Sequence, residues 1–503
     1  MSDSDDNDRP EEGPQVRVSL KLASGVGDPS LEVPSAPIAV PSDIGRKGLS
    51  AVVNHLLGRS VPGDDDGDDD GNGNDDDSST ASNRPLSFEF IVANNRLLRK
   101  GVEKEARQHG LSLEEAIVIT YFPTSGVPEL SGEGETVPDW VSCLASASTN
   151  HSETMVFSGC YDGTIHIYRK RNNDDNESCL IKISSATAAT GPIKAMAATT
   201  YKDQKMIASA SLDHSLNLHT HDSNNGLQLY GVCTVAESDV MQAVSSLDFT
   251  ATSSSSHLLL ASGDANGTIS IWNFDAGEQD FVATEAKKQK SSSGQKAASS
   301  KRELNATICM ERAHAQTISG ISWGNHHHRN QTDNITSHSQ LISGSWDHSI
   351  KVWDVEKQNC LLTLNGSRVV ACLDTSYHSE GVVATGHPDC TIRLWDVRVD
   401  SNTSKPSSVI MDHTFRPSHK AWVSDVKWSP SNAYQLASTS HDGTVKVWDI
   451  RSSNPLSTVR AFGKEEKGLC LLWDSSPSQQ RKQPKHETIF AGGSDCIIKQ
   501  LQL

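Results

Sequence analysis

The residues with the clearest metal-binding potential lie in two short runs of this 503-residue chain. The acidic run GDDDGDDDGNGNDDD, at 63–77, places carboxylates at spacings that can be compared with an EF-hand calcium loop. Gly73 stands where that loop needs a hydrophobic residue, and no flanking helices are indicated. We therefore interpret 59–84 as an acidic, disordered insert. The second run is three consecutive histidines at 326–328, which cannot easily converge on one ion from a loop.

Composition and motifs argue against an enzyme and favour a protein that binds other proteins. The sequence contains neither GxxxxGK[ST] nor HExxH, so nucleotide hydrolysis and zinc-protease chemistry lack support. The net charge of −18 opposes a surface whose main affinity is for nucleic-acid phosphate, so direct RNA contact is not indicated. Without a long apolar run or a secretory signal, we expect an intracellular protein that does not contact membranes.

A short unit recurs through the carboxy-terminal two thirds of the sequence. Its clearest copies are SGSWDHSIKVWD at 343–354 and ASTSHDGTVKVWD at 437–449. Each copy indicates a strand, a tight turn whose acidic or amide residue tolerates unusual backbone angles, and a strand with period-two alternation. A further apolar strand precedes each turn. Aligned on the turn, the seven copies carry Asp162, Asp213, Asn266, Asp347, Asp389, Asp442 and Asp495.

These units resemble WD40 repeats, and the resemblance covers roughly residues 137–503. It implies a mainly β protein with a seven-bladed WD40 β-propeller at 139–503. In that family a histidine before the first strand, the turn aspartate and a tryptophan form a hydrogen-bonded set. The matching residues are His314, Asp347 and Trp353 in the fourth unit and His419, Asp442 and Trp448 in the sixth.

Several units depart from the family pattern. Units one, two and seven place Tyr168, His219 and Leu501 where the tryptophan is expected, so we expect those blades to be held more by packing than by the polar set. The outer strand of the seventh blade is expected from 124–138, a linker and ring-closing strand.

The basic stretch at about 279–305 enlarges one repeat and is expected to be a disordered loop. Its pairs Lys287-Lys288 and Lys301-Arg302 resemble a bipartite nuclear import signal. A solubilising loop or an RNA-touching basic patch remains the alternative.

The amino-terminal residues indicate a separate α+β domain at 14–123. Alternation from Val16 to Leu22 predicts a strand, and the apolar spacing at 48–58 predicts an amphipathic helix that stops at Gly58. Further strands are predicted at 36–40, 88–92 and 116–122, with a second helical stretch at 102–109. This order of elements resembles the ubiquitin-like, or β-grasp, fold.

A ubiquitin-like head of the NLE type, which contains GLSAVVNHLL at 48–57, precedes a WD40 propeller that begins with DWVS at 139–142. This combination resembles the WD-repeat ribosome-biogenesis factors of the PeBoW complex. The resemblance implies a non-enzymatic assembly factor for the 60S subunit, required for rRNA processing in the nucleolus and nucleoplasm of the nucleus. Its implied partners are the block-of-proliferation protein on the propeller, pescadillo, the pre-60S ribosomal particle and the midasin AAA ATPase.

The same resemblance assigns a role to one residue of the motif GLSLEEAIVITY at 110–121. Glu114 matches the acid that completes the coordination of a Mg²⁺ held by the MIDAS domain of midasin. The protein is then expected to have no cofactor of its own, since the partner complex supplies the Mg²⁺. From the residues alone, Glu114 and Glu115 are ordinary solvated charges before a strand.

Two other functions stay open on the sequence. A Notchless-type pre-60S factor would share the head but typically carries eight blades. A ubiquitin-ligase substrate receptor would need a docking segment before the propeller, and none is indicated.

Overall fold

The computed structural model divides the chain into two compact units, Met1–Gly126 and Val127–Leu503. The acidic insert from residue 60, the histidine run and residues 279–301 of the basic stretch lie outside the residues that it describes. Those described are 14–23, 29–59, 85–92, 97–108, 110–124, 128–148, 154–172, 178–202, 204–222, 226–235, 242–251, 257–275, 302–324, 340–378, 381–397, 419–452, 454–475 and 487–503.

The first unit contains a four-stranded sheet and two α-helices. In chain order its elements are β1 (Gln15–Leu22), a 3-10 turn (Pro29–Leu31), β2 (Ile38–Pro41), α1 (Arg46–Leu56), β3 (Phe88–Ile91), α2 (Val102–Gln108) and β4 (Ile117–Pro123). The strand order is β2-β1-β4-β3, in which β1 and β4 are parallel and the other pairs antiparallel. This is the predicted β-grasp arrangement.

The core of this unit forms because one face of α1 meets the inward side chains of the sheet. Leu49 and Val53 of α1 are fully buried with Phe88 and Tyr121 of the strands. Asn54 is also buried, and its amide hydrogen-bonds both the N–H and the carbonyl of residue 86, which fixes the chain entering β3. No helix among the described residues is long and apolar enough to cross a membrane.

The second unit contains seven sheets among the described residues, and its first strand, β5 (Glu129–Glu133), belongs to the last of them. The first sheet has β6 (Val141–Ser148), β7 (Thr154–Cys160), β8 (Thr164–Asn172) and β9 (Ser178–Thr187). The second has β10 (Ile193–Tyr201), β11 (Gln204–Ser211), β12 (Leu216–Asp222) and β13 (Gly226–Thr234), joined by β17 (Glu303–Asn305). The third has β14 (Val244–Ala251), β15 (His257–Asp264), β16 (Ile269–Asp275) and β18 (Ile308–Met310).

The remaining four sheets follow in chain order. The fourth has β19 (Ile318–Trp323), β20 (Gln340–Ser345), β21 (Ser349–Asp354) and β22 (Asn359–Asn365). The fifth has β23 (Cys372–Thr375), β24 (Val382–Gly386) and β25 (Ile392–Asp396). The sixth has β26 (Val423–Trp428), β27 (Gln435–Ser440), β28 (Thr444–Asp449) and β29 (Ser457–Arg460). The seventh has β30 (Gly468–Ser475), β31 (Glu487–Gly493) and β32 (Lys499–Gln502), with β5.

The sheets form a closed ring, because the innermost strand of each contacts that of the next and β30 of the seventh contacts β6 of the first. Strand β5 pairs antiparallel with β32, so a segment before the first sheet supplies the outer strand of the last. The added strand covers the edge of β32 and gives the seventh sheet its fourth strand. The second unit is therefore a propeller of seven blades.

Hydroxyl groups tie neighbouring blades together at the innermost strands. The Ser142 hydroxyl donates to the carbonyl of Ile193 in the next blade over 2.6 Å. Ser319 reaches the carbonyl of Val370 in the same way over 2.6 Å. These recurrent contacts satisfy carbonyl groups at the blade junctions, where no sheet ladder can reach them.

Each of the seven turns places a residue in the left-handed region directly after the acidic or amide residue. The sequence assigns the unusual backbone to the acidic or amide residue itself, whereas the structure has it one position later. The seven residues are Gly163, His214, Gly267, His348, Cys390, Gly443 and Cys496, with φ between 61° and 81°. The turn aspartate instead accepts the backbone N–H two residues on, as Asp347 does from Ser349 over 3.0 Å.

The end of the basic stretch differs from the prediction. Residues 303–305 form β17, which pairs parallel with β13, rather than part of a disordered loop. Leu304 is buried with Cys233, while Glu303 and Asn305 on either side are exposed. One apolar side chain with two polar neighbours is enough to attach the segment to an unpaired edge of the second blade.

Candidate functional site

The segment that carries Glu114 is held at both ends by the first unit. Helix α2 ends at Gln108. Gly110 has φ 68°, and the N–H of Leu111 returns to the carbonyl of Ala106 over 2.9 Å. Ser112 accepts the backbone N–H of Glu114 over 3.2 Å. Strand β4 then begins at Ile117, which is buried. The short turn between α2 and β4 thus has defined anchors on either side of Glu114.

Glu114 itself is exposed, and no described residue forms a hydrogen bond or ion pair with its carboxylate. Glu115 is exposed as well, so exposure does not distinguish the two acids. No group of three or more histidine, cysteine, aspartate or glutamate residues in the described part of the chain could hold a metal ion. Glu114 can therefore offer one hard oxygen donor to a metal whose other ligands come from elsewhere.

The predicted polar set of the fourth blade comes together through a serine that the sequence interpretation did not include. His314 Nδ1 lies 3.0 Å from Asp347 Oδ2, and His314 Nε2 lies 2.7 Å from Ser343 Oγ. Trp353 Nε1 donates to the same Ser343 oxygen over 2.8 Å. Histidine and tryptophan thus meet at Ser343, and the tryptophan does not bond the aspartate.

The sixth blade repeats this geometry. His419 Nδ1 lies 3.1 Å from Asp442 Oδ2, and His419 Nε2 lies 2.8 Å from Ser438 Oγ. The same Ser438 oxygen accepts the indole N–H of Trp448 over 2.8 Å. A hydroxyl residue stands ten positions before the tryptophan in both blades, and this spacing was the available signal. Six of the seven units carry one there: Ser158, Ser209, Ser262, Ser343, Thr385 and Ser438.

The fifth blade assembles a similar set from a different histidine. Thr385 accepts the indole N–H of Trp395 over 2.7 Å, and its hydroxyl lies 2.8 Å from His387 Nε2. His387 belongs to the turn, whereas His314 precedes the innermost strand. Gly366 stands at the position that corresponds to His314 of the fourth blade. A Cβ atom added to Gly366 would lie 3.3 Å from the ring of Trp395.

In the second blade the residue in the tryptophan position keeps a polar contact. His219 Nε2 lies 3.2 Å from Ser209 Oγ, so this blade keeps one contact of the polar set in addition to its packing. In the seventh blade Leu501 and Ala491 occupy the two positions, and both are fully buried without polar atoms.

Burial controls the protonation of these sets. Desolvation lowers the pKa of His314 and His419 despite the neighbouring aspartates, and it lowers the pKa of His219 and His387 to about 4. Burial opposes ionisation of Asp347, but hydrogen bonds from Ser349 and Ala315 bring its pKa to about 2. Neutral histidines beside ionised aspartates suit a structural network.

Large aromatic side chains are exposed at one end of the propeller. Trp140 and Trp422 precede the innermost strands of the first and sixth blades and are 41% and 51% exposed. Tyr161 packs edge-on against Trp140 at 5.5 Å, and His441 stacks on Trp422 at 6.1 Å. The seventh blade lies between the sixth and the first, and Lys467 holds the place that corresponds to the two tryptophans. Its backbone carbonyl accepts the N–H of Ser494, just as those of Trp140 and Trp422 accept the N–H groups of Tyr161 and His441.

We call this arc of residues 140, 161, 422, 441 and 467 the aromatic arc. Trp346, in a turn at the same end, is 45% exposed. Exposed tryptophans that cluster at one end of a domain indicate a surface for a protein partner.

Comparison with known proteins agrees with both units. The NLE (NUC135) domain model matches residues 18–104, which ends before Glu114. The WD domain, G-beta repeat model matches 129–169, 238–273, 307–354, 358–396 and 412–449. These ranges leave out strands β10–β13 of the second blade and β30–β32 of the seventh, where histidine and leucine stand in the tryptophan position.

Relatives match over nearly the whole chain. The "Ribosome biogenesis protein WDR12 homolog" of Chlamydomonas reinhardtii is 28% identical over 93% of this chain and 94% of its own. The protein of that name in Oryza sativa is 25% identical over 97% and 98%. The "Ribosome biogenesis protein YTM1" of Meyerozyma guilliermondii is 27% identical over 88% and 89%.

The chain is therefore a WD40-repeat protein with an amino-terminal NLE domain. It is homologous to the WDR12 and YTM1 ribosome biogenesis proteins, and this homology supports a role in ribosome biogenesis.

Proposed function

We propose that this protein is a non-enzymatic assembly factor of the large ribosomal subunit, acting in rRNA processing within the PeBoW complex. Its propeller anchors it to the block-of-proliferation protein and through that to pescadillo and the pre-60S particle. Its NLE domain is the handle that the midasin ATPase grips. The observation that carries the proposal is a solvent-facing carboxylate, Glu114, fixed in a short turn of a compact domain.

Glu114 suits the role of a metal ligand supplied to a partner. An exposed carboxylate without an ion-pair partner among the described residues loses no internal contact when it binds. A Mg²⁺ ion bound by the MIDAS domain of midasin prefers hard oxygen donors in octahedral geometry. The turn between α2 and β4 holds the backbone that carries this carboxylate, because Gly110 follows the end of α2 and the buried Ile117 begins β4. Force applied at this point passes into β4, which lies at the centre of the sheet.

The aromatic arc is the surface that we assign to the block-of-proliferation protein. Trp140 and Trp422 offer large apolar area at little entropic cost, and Lys467 between them adds a charged neighbour. Binding energy at protein interfaces concentrates on such tryptophans. The seven sheets of the described residues also favour a PeBoW-type factor over a Notchless-type factor, for which eight blades are typical.

The assigned function places the protein in the nucleolus and nucleoplasm, and it needs neither an active site nor a resident cofactor. The basic pairs near residues 287 and 301 supply the proposed import signal. ATP-driven pulling on the NLE domain would then remove the subcomplex from the pre-60S particle.

The experiment that tests the handle is a pull-down with the purified MIDAS domain of midasin in Mg²⁺ or EDTA. We expect the full chain to bind in Mg²⁺ only, Glu114→Ala to lose binding, and Glu115→Ala to retain it. Normal binding of Glu114→Ala would refute the assignment. Loss with Glu115→Ala alone would move the ligand by one residue.

A further inference from the structure

A cavity of about 290 Å³ opens on the second blade, at a position that a side chain fills in two other blades. Residues that line it are Ala189, Thr190, Asp213, Ser215, Asn217 and Glu303. It lies within the propeller, and neither the Glu114 turn nor the aromatic arc contributes to it. Its origin can be derived by comparing the blades with one another.

The backbone fixes the correspondence between blades. Ala315 and Lys420 donate their N–H groups to the turn aspartates of the fourth and sixth blades over 2.9 and 2.7 Å. Thr190 donates in the same way to Asp213 over 2.8 Å. The residues just before these donors are His314, His419 and Ala189. Alanine thus stands in the second blade where the other two carry a buried imidazole, and part of the ring's volume is left open.

The hydrogen bonds of the missing imidazole are made by other groups. Thr190 Oγ1 donates to Asp213 Oδ2 over 2.7 Å, in place of the histidine nitrogen. Ser209, whose hydroxyl would face the second nitrogen, is engaged by His219. The blade is therefore complete without a ring at 189, and the cavity is available to a ligand from outside.

The chemistry of the walls selects a cation. Burial raises the pKa of Asp213, but hydrogen bonds from Ser215 and Thr190 outweigh this and hold the pKa well below its usual value. Glu303 adds a second carboxylate, carried by β17, the strand that the second blade has beyond its own four. Ala189 and Val232 provide apolar surface for the faces of a flat group. Two carboxylates with apolar walls suit a planar cation with N–H donors.

We propose that the cavity of the second blade binds a planar nitrogen cation, the imidazolium or guanidinium group of a histidine or arginine side chain presented by a partner protein. The sister blades supply the template for the shape of the bound group, since their own neutral imidazoles occupy the equivalent place. The positive charge of the bound group is matched here by Asp213 and Glu303. The inference stands independently of the proposed function, because neither the MIDAS contact nor the aromatic arc enters it.

Imidazole and methylguanidinium chloride are the probes for this test. The full chain is labelled on its alanine methyl groups, and the signals of Ala188 and Ala189 are assigned by substitution and followed by NMR. We expect saturable shifts at these two methyls with dissociation constants on the order of millimolar, as small fragments give. Imidazole should bind at least about fivefold more tightly at pH 6, where it is mainly a cation, than at pH 8.

Three variants decide the outcome. Ala189→His fills the cavity and should abolish the saturable shift at Ala188, and Glu303→Gln should weaken methylguanidinium binding about tenfold. Glu465→Gln, an exposed acid outside the cavity, should leave binding unchanged. The absence of saturable shifts in the unmodified chain would overturn the proposal, as would equal binding by Glu303→Gln or equal imidazole affinity at the two pH values. Because Glu303→Gln alters only an exposed side chain, the test stands even if Ala189→His fails to fold.

Discussion

Trp353 donates its indole N–H to Ser343 Oγ over 2.8 Å in the fourth blade, and in the seventh blade the same two positions hold Leu501 and Ala491. The polar donor and its acceptor are thus present together or absent together. A buried donor without an acceptor is costly, whereas replacing both by apolar groups costs little. The fourth and seventh blades therefore use alternative chemistries at the same two positions, one polar and one apolar.

Ser343→Ala should destabilise the propeller by about 2 to 4 kcal/mol. The substitution removes the hydroxyl that both His314 and Trp353 contact, and an unsatisfied buried group costs about 1 to 3 kcal/mol. Urea unfolding followed by tryptophan fluorescence measures this, because all ten tryptophans lie between residues 140 and 473. Ser185→Ala, at an exposed serine of β9, is the control and should change stability by less than about 0.5 kcal/mol. Equal effects of the two variants would contradict the role of Ser343.

Acid should destabilise the propeller between pH 6.5 and 4. Burial lowers the pKa of His219 and His387 to about 4, so the unfolded chain binds protons more readily in this range. Stability is then complete above pH 6.5 and falls with pH, by on the order of 3 kcal/mol per histidine across the window. His387→Gln should reduce the slope of unfolding free energy against pH by about 1 kcal/mol per pH unit. His348→Gln, at an exposed histidine, serves as control, and identical slopes for both variants would refute the assignment.

The left-handed turn residues predict a stabilising substitution. His348 has φ 71° and is exposed, so His348→Gly should relieve backbone strain and stabilise the propeller by up to about 1 kcal/mol. Gly443→Ala, at φ 76° in the sixth blade, should do the opposite by about 1 to 2 kcal/mol, since its Cβ would also lie 3.0 Å from a backbone oxygen. Thermal melting of both variants gives the test. A fall in melting temperature for His348→Gly would show that the imidazole outweighs the strain.

The aromatic arc predicts where the propeller's partner binds. Trp140→Ala and Trp422→Ala should each weaken binding of the block-of-proliferation protein by about 2 kcal/mol, or roughly thirtyfold, because exposed tryptophans at an interface centre carry much of the binding energy. Surface plasmon resonance with the full chain provides the measurement. Tyr434→Ala, at an exposed aromatic outside the arc, is the matched control. If it weakens binding as much as the tryptophan variants, the surface has been assigned wrongly.

Repetition made most of the fold predictable from sequence. Seven turns and their alternating strands recur often enough that chance matches are excluded, and the helix at Arg46–Leu56 follows from its apolar spacing. Strand β17 was missed because one apolar residue, Leu304, carries no periodicity. Its pairing depends on the free edge of β13, which is a tertiary feature.

The polar sets were predictable only in part. His314 and Asp347 could be found by family spacing. Ser343 has a weaker signal, the spacing of ten residues to Trp353, because serine is common in strands. His387 lies in a turn, and its contact with Thr385 arises only in the folded chain. There it takes the place of the histidine that the fifth blade lacks at Gly366. Likewise Glu114 and Glu115 are both exposed, and the choice between them depends on the family motif.

Calorimetry in Mg²⁺ with the Glu114→Gln and Glu115→Gln variants of the full chain measures whether Glu114 is the ligand that the MIDAS domain of midasin binds. Glutamine keeps the shape of the side chain and removes its charge. We expect Glu114→Gln to weaken binding at least about a hundredfold, since a charged oxygen ligand is lost, and Glu115→Gln to change it less than about threefold. Unchanged affinity for Glu114→Gln would show that Glu114 is not the metal ligand.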